Sequence, residues 1–213
     1  MPGAPATPPR DCPLCPRLQA FRDDWRKRQP DWFNAPVPAF GPVAARLLIV
    51  GLAPGLQGAN RTGRPFTGDY AGDLLYETLL RFGFARGTYA ARIDDSLTLV
   101  DARIANAVSC VPPENKPTGG EIATCRRFLT ERLAEMPNLR AIVALGRIAH
   151  ESTVAALGAK RAEAPFGHGR KAQIGPVTLF SSYHCSRYNT NTGVLTPEMF
   201  YAVFADVRSH LDG

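Results

Sequence analysis

Five cysteines are placed unevenly along the chain, and four of them could meet at one metal site. Cys12 and Cys15 stand in a proline-flanked C-P-L-C segment, whose stiff, irregular loop can direct two thiolates at one metal. Cys110 and Cys125 could supply two further ligands, and thiolates select zinc or iron–sulfur clusters, which this spacing does not separate. The other interpretation is that Cys110 and Cys125 are small, buried hydrophobic side chains. The odd cysteine count argues against a disulfide framework.

Three polar loops carry the other side chains that could do chemistry, and each follows an apolar run typical of a strand. They cover residues 51–69, 109–118 and 183–193. Ligands of parallel α/β sheets bind beyond the carboxyl ends of the strands, so one shared site is expected. The first loop lacks the Lys-Ser/Thr pair of a phosphate-binding loop, and the chain contains no G-x-G-x-x-G, which disfavours nucleotide-dependent enzymes.

Apolar strands alternate with helices along the chain, and this pattern predicts an α/β fold with a parallel sheet covered on both faces. A T-G-G-E stretch beginning at Thr118 suits the start of one helix, and T-P-E-M beginning at Thr196 suits the start of the last. We predict strands at residues 46–51, 104–109, 141–145 and 177–182, helices at 17–28, 72–82, 119–134, 147–157 and from 196 onward, and loops at 158–174 and 184–195.

The length and composition predict one globular domain spanning residues 1–213, in which residues 1–45 form an N-terminal arm. A hydrophobic content of 45% and a charged content of 21% exclude wholesale disorder and a coiled coil. No apolar run reaches the roughly 18 to 20 residues that cross a bilayer, and the first ten residues lack the hydrophobic segment of a signal peptide, so a cytoplasmic protein is expected. The net charge of +6 favours an anionic partner such as nucleic acid, although so modest an excess is also compatible with none.

Four motifs taken together resemble the uracil-DNA glycosylase superfamily: G-L-A-P-G, R-P-F-T-G-D, C-V-P-P-E-N-K-P and H-C-S-R-Y-N, in this order and with four spaced cysteines. Within it the chain looks most like family 5, the type B enzymes with an iron–sulfur cluster, from Cys12 to about Phe200. The resemblance implies a three-layer α/β/α fold around a four-stranded parallel sheet. It also implies a [4Fe-4S] cluster, with Cys185 as a non-ligand. The implied cluster ligands are Cys12, Cys15, Cys110 and Cys125.

The resemblance further implies an activity, which is to flip uracil out of DNA and hydrolyse its N-glycosidic bond. Phe66 would stack on the extruded base, or else anchor the loop as an ordinary core residue. His184 would donate a hydrogen bond to the uracil oxygen as negative charge develops on the leaving base. Asn106 stands where type A enzymes use an asparagine to read the uracil edge, although burial against the sheet is the alternative.

The first motif departs from type A enzymes, which have G-E-A-P-G where this chain has Leu52 in place of the acid. Asp69 is the nearest substitute for positioning a water and stabilising a cationic sugar, and its alternative role is a helix N-cap. Asn115 could share the water or touch the base. Backbone groups of the first motif should line the pocket, because glycine permits close approach to a ligand. Its residues are Gly51, Leu52, Ala53, Pro54 and Gly55.

The segment after His184 is expected to enter the duplex and fill the vacated stack, through Arg187, Tyr188 and Asn189. The partners implied are uracil-containing double-stranded DNA and single-stranded DNA, bound by a monomer. The Leu52 departure resembles enzymes that also accept hypoxanthine and other deaminated bases. Two alternatives remain open from the sequence: a catalytically silent DNA-damage-binding protein with the same fold and cluster, and a version that uses the cysteines for zinc.

Overall fold

A computed structural model of the chain describes residues 6–213. The expectation about a signal peptide falls partly on residues 1–5, which lie outside the described part. None of the described helices is both long and apolar enough to cross a membrane.

A five-stranded sheet forms the centre of the fold, with the strand order β4-β1-β5-β7-β6. The first four strands are parallel to one another, as predicted, and β6 pairs antiparallel with β7 at the edge. Ile49 in β1 pairs with Ile104 on one side and Val143 on the other. The strands are β1 (Leu47–Gly51), β4 (Ala102–Asn106), β5 (Ala141–Leu145), β6 (Lys171–Ile174) and β7 (Val177–Ser182), and a separate hairpin pairs β2 (Ala85–Arg86) with β3 (Thr98–Leu99).

Helices cover both faces of the sheet because successive side chains of a strand point to opposite faces. Leu47 and Ile49 belong to the core under α3 and α7, whereas Leu48 and Val50 belong to the core under α4 and α5. The predicted three-layer α/β/α architecture is therefore confirmed. The helices are α1 (Pro16–Arg28), α2 (Ala59–Thr62), α3 (Tyr70–Arg81), α4 (Gly119–Ala134), α5 (Arg147–Ala156), α6 (Arg187–Asn191) and α7 (Pro197–Asp212).

Two predicted helix starts are confirmed by their capping hydrogen bonds. The Thr118 hydroxyl accepts from the backbone N–H of Glu121 at 3.3 Å, and the Glu121 carboxylate accepts from the backbone N–H of Thr118 at 2.7 Å. The Thr196 hydroxyl accepts from the backbone N–H of Met199 at 3.2 Å, with Pro197 in the first turn. Side-chain caps of this kind satisfy backbone donors that a helix start leaves free.

The sheet prediction is incomplete at its edge, and the predicted loops contain regular structure. Residues 51–69 contain α2, and residues 109–118 contain the 3-10 turn Pro113–Asn115. Residues 171–174, predicted as part of a loop, form β6, whose K-A-Q-I sequence is polar because the strand is partly exposed and has one neighbour only. Residues 184–195 contain the short helix α6, which begins with a hydrogen bond from the N–H of Asn189 to the Ser186 hydroxyl. The predicted strand 104–109 begins and ends earlier, as β4.

Backbone hydrogen bonds join the N-terminal arm to the sheet and to the first loop. Phe40 pairs with Ile104 beside β4, and the N–H of Val37 donates to the carbonyl of Ser109 at 2.7 Å. The N–H of Asn34 donates to the carbonyl of Asn60 at 3.0 Å. Farther along the arm, Cys12 and Cys15 pack in one apolar cluster with Cys110, which follows β4, and with Cys125 of α4.

Candidate active site and cysteine pocket

A cavity of about 310 Å³ lies at the carboxyl ends of β1, β4 and β7, where the three predicted loops meet. Parallel strands bring these loops to one edge of the sheet although they are far apart in sequence. All predicted catalytic residues and most predicted substrate-binding residues line this cavity, and one predicted DNA-binding residue, Arg187, lines it too. The substrate-binding and catalytic residues are Leu52, Ala53, Pro54, Gly55, Phe66, Asp69, Asn106, Asn115 and His184.

Gly51 does not line the cavity itself, but its missing side chain leaves space for Phe66 and Asn106, which do. A Cβ at this position would lie 2.6 Å from Cζ of Phe66 and 2.5 Å from Oδ1 of Asn106, closer than such atoms approach. Any side chain at Gly51 would therefore displace both residues from the cavity.

Phe66 is buried and has a left-handed backbone, with φ of 53°. This conformation is a genuine outlier for a bulky residue and costs on the order of 1–3 kcal/mol, which surrounding contacts must offset. The Phe66 ring lies 6.0 Å from the His184 ring between centroids, with the planes inclined by 27°. The two rings together form one continuous wall of the cavity.

His184 follows β7 and is held by its own loop. The side-chain amide of Asn189 donates to the carbonyl of His184 at 2.8 Å, and the thiol of Cys185 donates to the carbonyl of Ala71 at 3.4 Å. Desolvation lowers the pKa of the His184 imidazole to about 4. The imidazole is therefore neutral at physiological pH and can donate a hydrogen bond from one ring nitrogen without carrying a charge.

Asp69 is the N-cap of α3, which was its alternative role in the sequence analysis, and it also lines the cavity. Its Oδ1 accepts from the backbone N–H of Gly72 at 3.3 Å, which makes Asp69 the N-cap of α3. Its Oδ2 lies against Gly55 and Gly58, neither of which could carry a Cβ without crowding the carboxylate. Burial raises the pKa of the Asp69 carboxyl above its ordinary value. One oxygen is thus used in the cap while the side chain still faces the cavity.

Asn106 and Asn115 enter the cavity from opposite ends of one connection. Asn106 lines the cavity, and its Oδ1 is buried with no hydrogen-bond partner among residues 6–213, so this acceptor is unpaired. Asn115 is exposed and ends the short 3-10 turn Pro113–Asn115 with a left-handed backbone, φ 57°. A buried acceptor without a donor costs about 1–3 kcal/mol, which a ligand with an N–H group would recover.

The predicted DNA-contacting residues lie on α6 beside the cavity but differ in exposure. The Tyr188 side chain is 74% exposed, the highest value among the large hydrophobic residues described. The guanidinium of Arg187 lies over the ring of Tyr70, 5.2 Å from its centroid. Asn189 is half-buried and its amide supports the His184 loop, so its observed contact is internal.

A model of the uracil-DNA glycosylase superfamily matches residues 38–208 of the chain. The chain belongs to this superfamily. A type-5 uracil-DNA glycosylase of Thermus thermophilus is 45% identical over 92% of this chain and 92% of its own. A type-5 uracil-DNA glycosylase of Pyrobaculum aerophilum is 40% identical over 88% of this chain and 84% of its own. A type-4 uracil-DNA glycosylase of the same organism is less similar, with 34% identity over 72% of this chain and 64% of its own. The higher identity to the type-5 enzymes confirms the predicted resemblance to family 5.

Four residues that line the cavity were not predicted from the sequence: Ala59, Tyr70, Ala71 and Ser186. Tyr70 and Ala71 follow R-P-F-T-G-D, Ser186 lies inside H-C-S-R-Y-N, and Ala59 lies in the loop between the first two motifs. Whether a loop residue lines the cavity depends on which side of the loop faces it, and the spacing of the motifs does not predict that orientation.

A second, smaller pocket is lined by the four cysteines that were predicted as metal ligands. They line it together with apolar side chains that include Leu18, Val108 and Phe128. Burial raises the pKa of the Cys15 thiol to about 11 and that of the Cys110 thiol to about 12. In the part of the chain that the structure describes, no three His, Cys, Asp or Glu side chains have the mutual spacing that a single metal ion needs. The pocket is lined by Cys12, Cys15, Cys110 and Cys125.

Two buried arginines adjoin these thiols. Arg22 is 2% exposed, and its guanidinium lies 3.7 Å from Sγ of Cys110 while its Nε has no hydrogen-bond partner within residues 6–213. Arg132 is 1% exposed and donates at 3.1 Å to the hydroxyl of Ser109, whose backbone N–H donates to Sγ of Cys125 at 3.3 Å. Burial lowers the pKa of Arg132 to about 10. Buried cations are costly unless a negative charge compensates them, and thiolates at this pocket would carry such a charge.

Proposed function

We propose that the protein is a DNA repair glycosylase that flips uracil out of DNA and hydrolyses its N-glycosidic bond, leaving an abasic site. The single observation that carries the proposal is the content of the 310 Å³ cavity. Phe66 offers an aromatic face, Asn106 an unused acceptor, His184 a neutral donor and Asp69 a buried carboxylate, all in the chain's own superfamily fold.

Base recognition would use Phe66 and Asn106. The aromatic ring provides a stacking surface for an extruded base. Oδ1 of Asn106 accepts the imide N–H of uracil, which supplies the hydrogen bond that this buried oxygen lacks. Thymine carries the same imide group, so rejection of thymine falls to the shape of the cavity around its methyl group.

Bond cleavage would divide between His184 and Asp69. The bond between C1′ of the sugar and N1 of uracil breaks, and its electron pair leaves with the base. His184 is neutral, and it donates a hydrogen bond to the uracil oxygen on which the negative charge develops. Asp69 orients a water towards C1′ and stabilises the positive charge on the sugar, and Asn115 at the cavity wall can share that water. The water oxygen bonds to C1′, and the proton that the water loses neutralises the uracil anion.

DNA binding would place α6 against the duplex. Tyr188 is exposed enough to enter the stack that the uracil vacates, and Arg187 at the mouth of the cavity can contact a phosphate. The net charge of +6 favours this association. Binding of single-stranded DNA, action as a monomer and a cytoplasmic location stay predictions.

We further propose that Cys12, Cys15, Cys110 and Cys125 hold a [4Fe-4S] cluster, which the family resemblance implies. The donor set fits such a group, because four thiols line one pocket and Arg22 and Arg132 supply positive charge beside it. When bound, the cluster would tie the N-terminal arm to β4 and α4 and so stabilise the fold. Absorbance near 400 nm and the iron content of freshly purified protein separate this assignment from zinc, which is colourless.

The substrate range would extend to hypoxanthine. Leu52 lines the cavity where type A enzymes have a carboxylate. Its side chain is apolar, so it requires no matching hydrogen-bonding group on the base. Hypoxanthine presents an amide N–H that Asn106 can accept, as uracil does.

End-labelled duplexes test the function directly. The purified protein is incubated with duplexes containing U·G, U·A, hypoxanthine·T or only normal pairs, and alkali then converts abasic sites to strand breaks. We expect breaks at uracil, faster opposite G than opposite A because a mismatched base flips at lower cost. Binding of the uracil duplex without any break would favour the catalytically silent alternative, and His184→Ala serves as the inactive control.

A further inference from the structure

The left-handed backbone of Phe66 is held by residues outside the cavity. The hydroxyl of Tyr89 donates to the carbonyl of Phe66 at 3.1 Å, and the hydroxyl of Tyr76 donates to the carbonyl of Pro65 at 2.6 Å. The two tyrosine rings stack with centroids 4.5 Å apart. Burial raises the pKa of Tyr89 to about 12, so its hydroxyl keeps its proton and remains a donor throughout the physiological range.

Close packing at Gly72 makes this hydrogen bond possible. A Cβ on Gly72 would collide with the carbonyl oxygen of Phe66 and would lie 2.6 Å from the hydroxyl of Tyr89. Gly72 lies in the first turn of α3, and its backbone N–H is the group that the Asp69 cap accepts from. The contact between Tyr89 and Phe66 is therefore built into the same turn that positions the cavity carboxylate.

A buried ion pair holds the segment that carries Tyr89. The guanidinium of Arg64 binds Asp95 through two hydrogen bonds of 2.8 and 2.7 Å, and the two side chains are 5% and 3% exposed. The carboxylate of Asp95 also accepts from the backbone N–H groups of Ala90 and Leu97, at 3.0 and 3.2 Å. Arg64 packs against the Tyr89 ring, 5.9 Å from its centroid. The ion pair thus joins the loop containing Phe66 to the segment at residues 89–97.

We propose that Tyr89 is a positioning residue, which holds the Phe66 ring in the plane on which an extruded base stacks. Tyr89 itself is absent from the cavity wall, so it acts through the Phe66 carbonyl and not by contact with the base. Without its hydroxyl, the strained backbone of Phe66 relaxes and the ring turns away from the stacking plane. The assignment rests on the proposed function, since it deepens the role of Phe66 in capturing uracil.

Tyr89→Phe tests the proposal, because it removes one hydroxyl and keeps the ring that stacks on Tyr76. Tyr201→Phe is the matched control, since the Tyr201 hydroxyl donates to the Glu77 carboxylate at 2.6 Å on the exposed side of α3 and α7. The readouts are the single-turnover cleavage rate at saturating protein and the fluorescence of 2-aminopurine placed beside the uracil, which reports extrusion. We expect Tyr89→Phe to lower the rate about five- to tenfold, the effect of one lost hydrogen bond, and to reduce the 2-aminopurine signal. Tyr201→Phe should match the unsubstituted protein in both.

The double variant decides whether Tyr89 acts through Phe66. In a Phe66→Ala background the Tyr89→Phe change should have no further effect on the rate or on the 2-aminopurine signal, because residues that act as one unit are not additive. The same proportional loss in both backgrounds, or an unchanged rate in Tyr89→Phe alone, would overturn the assignment. An unsubstituted protein that leaves every uracil duplex intact would overturn the proposed function and this assignment with it, so the two failures are distinguishable.

Discussion

The ring of Phe66 lies nearly parallel to the imidazole of His184, with the centroids 6.0 Å apart. The two residues follow different strands, β1 and β7, which are separated by β5 in the sheet. Their contact restrains the imidazole from the side of the first loop, so the donor proposed for the leaving base is oriented by the residue proposed to stack on it.

Removal of the His184 imidazole should impair cleavage severely. If departure of the base anion dominates the barrier, loss of one preorganised donor costs roughly 3 kcal/mol, or about 10²- to 10³-fold in rate. Single-turnover cleavage of a U·G duplex by His184→Ala measures the effect. His210→Ala, whose ring packs on Phe180 near the C-terminus, is the matched control and should cleave normally. A loss of less than about tenfold in His184→Ala would remove this residue from the chemical step.

The same imidazole should make stability depend on pH. The pKa of His184 falls from its ordinary 6.5 to about 4 on folding, so between these values the unfolded chain binds more protons than the folded one. The free energy of unfolding should therefore decrease as pH falls, by up to about 2 kcal/mol between pH 7 and pH 5. Denaturant titrations of the parent and of His184→Gln measure it, and equal pH dependence in the two would contradict the assigned shift.

Replacement of Asp69 by asparagine distinguishes its role as the N-cap of α3 from its proposed role in positioning the water. Burial raises the pKa of Asp69, so the stability contributed by this group is present at low pH and is lost as pH rises through the raised value. Asp69→Asn keeps an efficient N-cap and removes the buried charge, so the melting temperature at pH 7 should hold or rise. The single-turnover rate should fall on the order of 10²-fold with duplex affinity nearly unchanged.

Asp73→Asn is the control for this experiment, since Asp73 is an exposed acid in the first turn of the same helix. Its rate should match that of the parent protein. Full activity in Asp69→Asn would assign the water to Asn115 or to the backbone and leave Asp69 as a cap only.

The cysteines should differ in their effect on metal content. Cys12→Ala and Cys125→Ala each remove one proposed ligand and should lower iron content, solubility and melting temperature, because metal binding contributes to folding. Cys185→Ala should leave iron content unchanged, since this thiol is buried in the main core and donates to the carbonyl of Ala71. Iron analysis with absorbance near 400 nm checks all three, and unchanged iron in the first two would refute the ligand set.

Loss of the Tyr188 ring should weaken duplex binding more than single-strand binding. The exposed side chain is expected to fill the gap left by the flipped base, and such stacking is worth about 1–3 kcal/mol, or about 5- to 150-fold in affinity. Fluorescence anisotropy with uracil-containing duplex and single strand compares the two. Ile93→Ala, an exposed hydrophobic truncation on another loop, should change neither affinity. Equal losses on the two substrates in Tyr188→Ala would argue against insertion into the stack.

The sequence was most informative where structure follows from local patterns. The strands at 141–145 and 177–182 were predicted with their observed bounds, because fully buried strands of a parallel sheet contain few charged residues, and A-I-V-A-L at 141–145 is a continuous apolar run. Helix α4 at 119–134 was equally clear, since Thr118 and Glu121 form its capping box within one turn. The motifs also identified the loops that meet at the cavity, because loops after parallel strands share one edge of the sheet.

Only the tertiary structure decided the features that depend on distant neighbours. Edge strand β6 has a polar sequence and forms through its pairing with β7, so no local sequence pattern predicted it. Phe66 has a left-handed backbone, and its carbonyl accepts a hydrogen bond from Tyr89, a residue 23 positions away that belongs to no motif. The lowered pKa of His184 and the unused acceptor of Asn106 arise from desolvation, which is a property of the packed surroundings and not of the residue types. The sequence by itself therefore determined which residues could do the chemistry, whereas packing between segments far apart in the chain determined their conformation, protonation and free hydrogen-bonding groups.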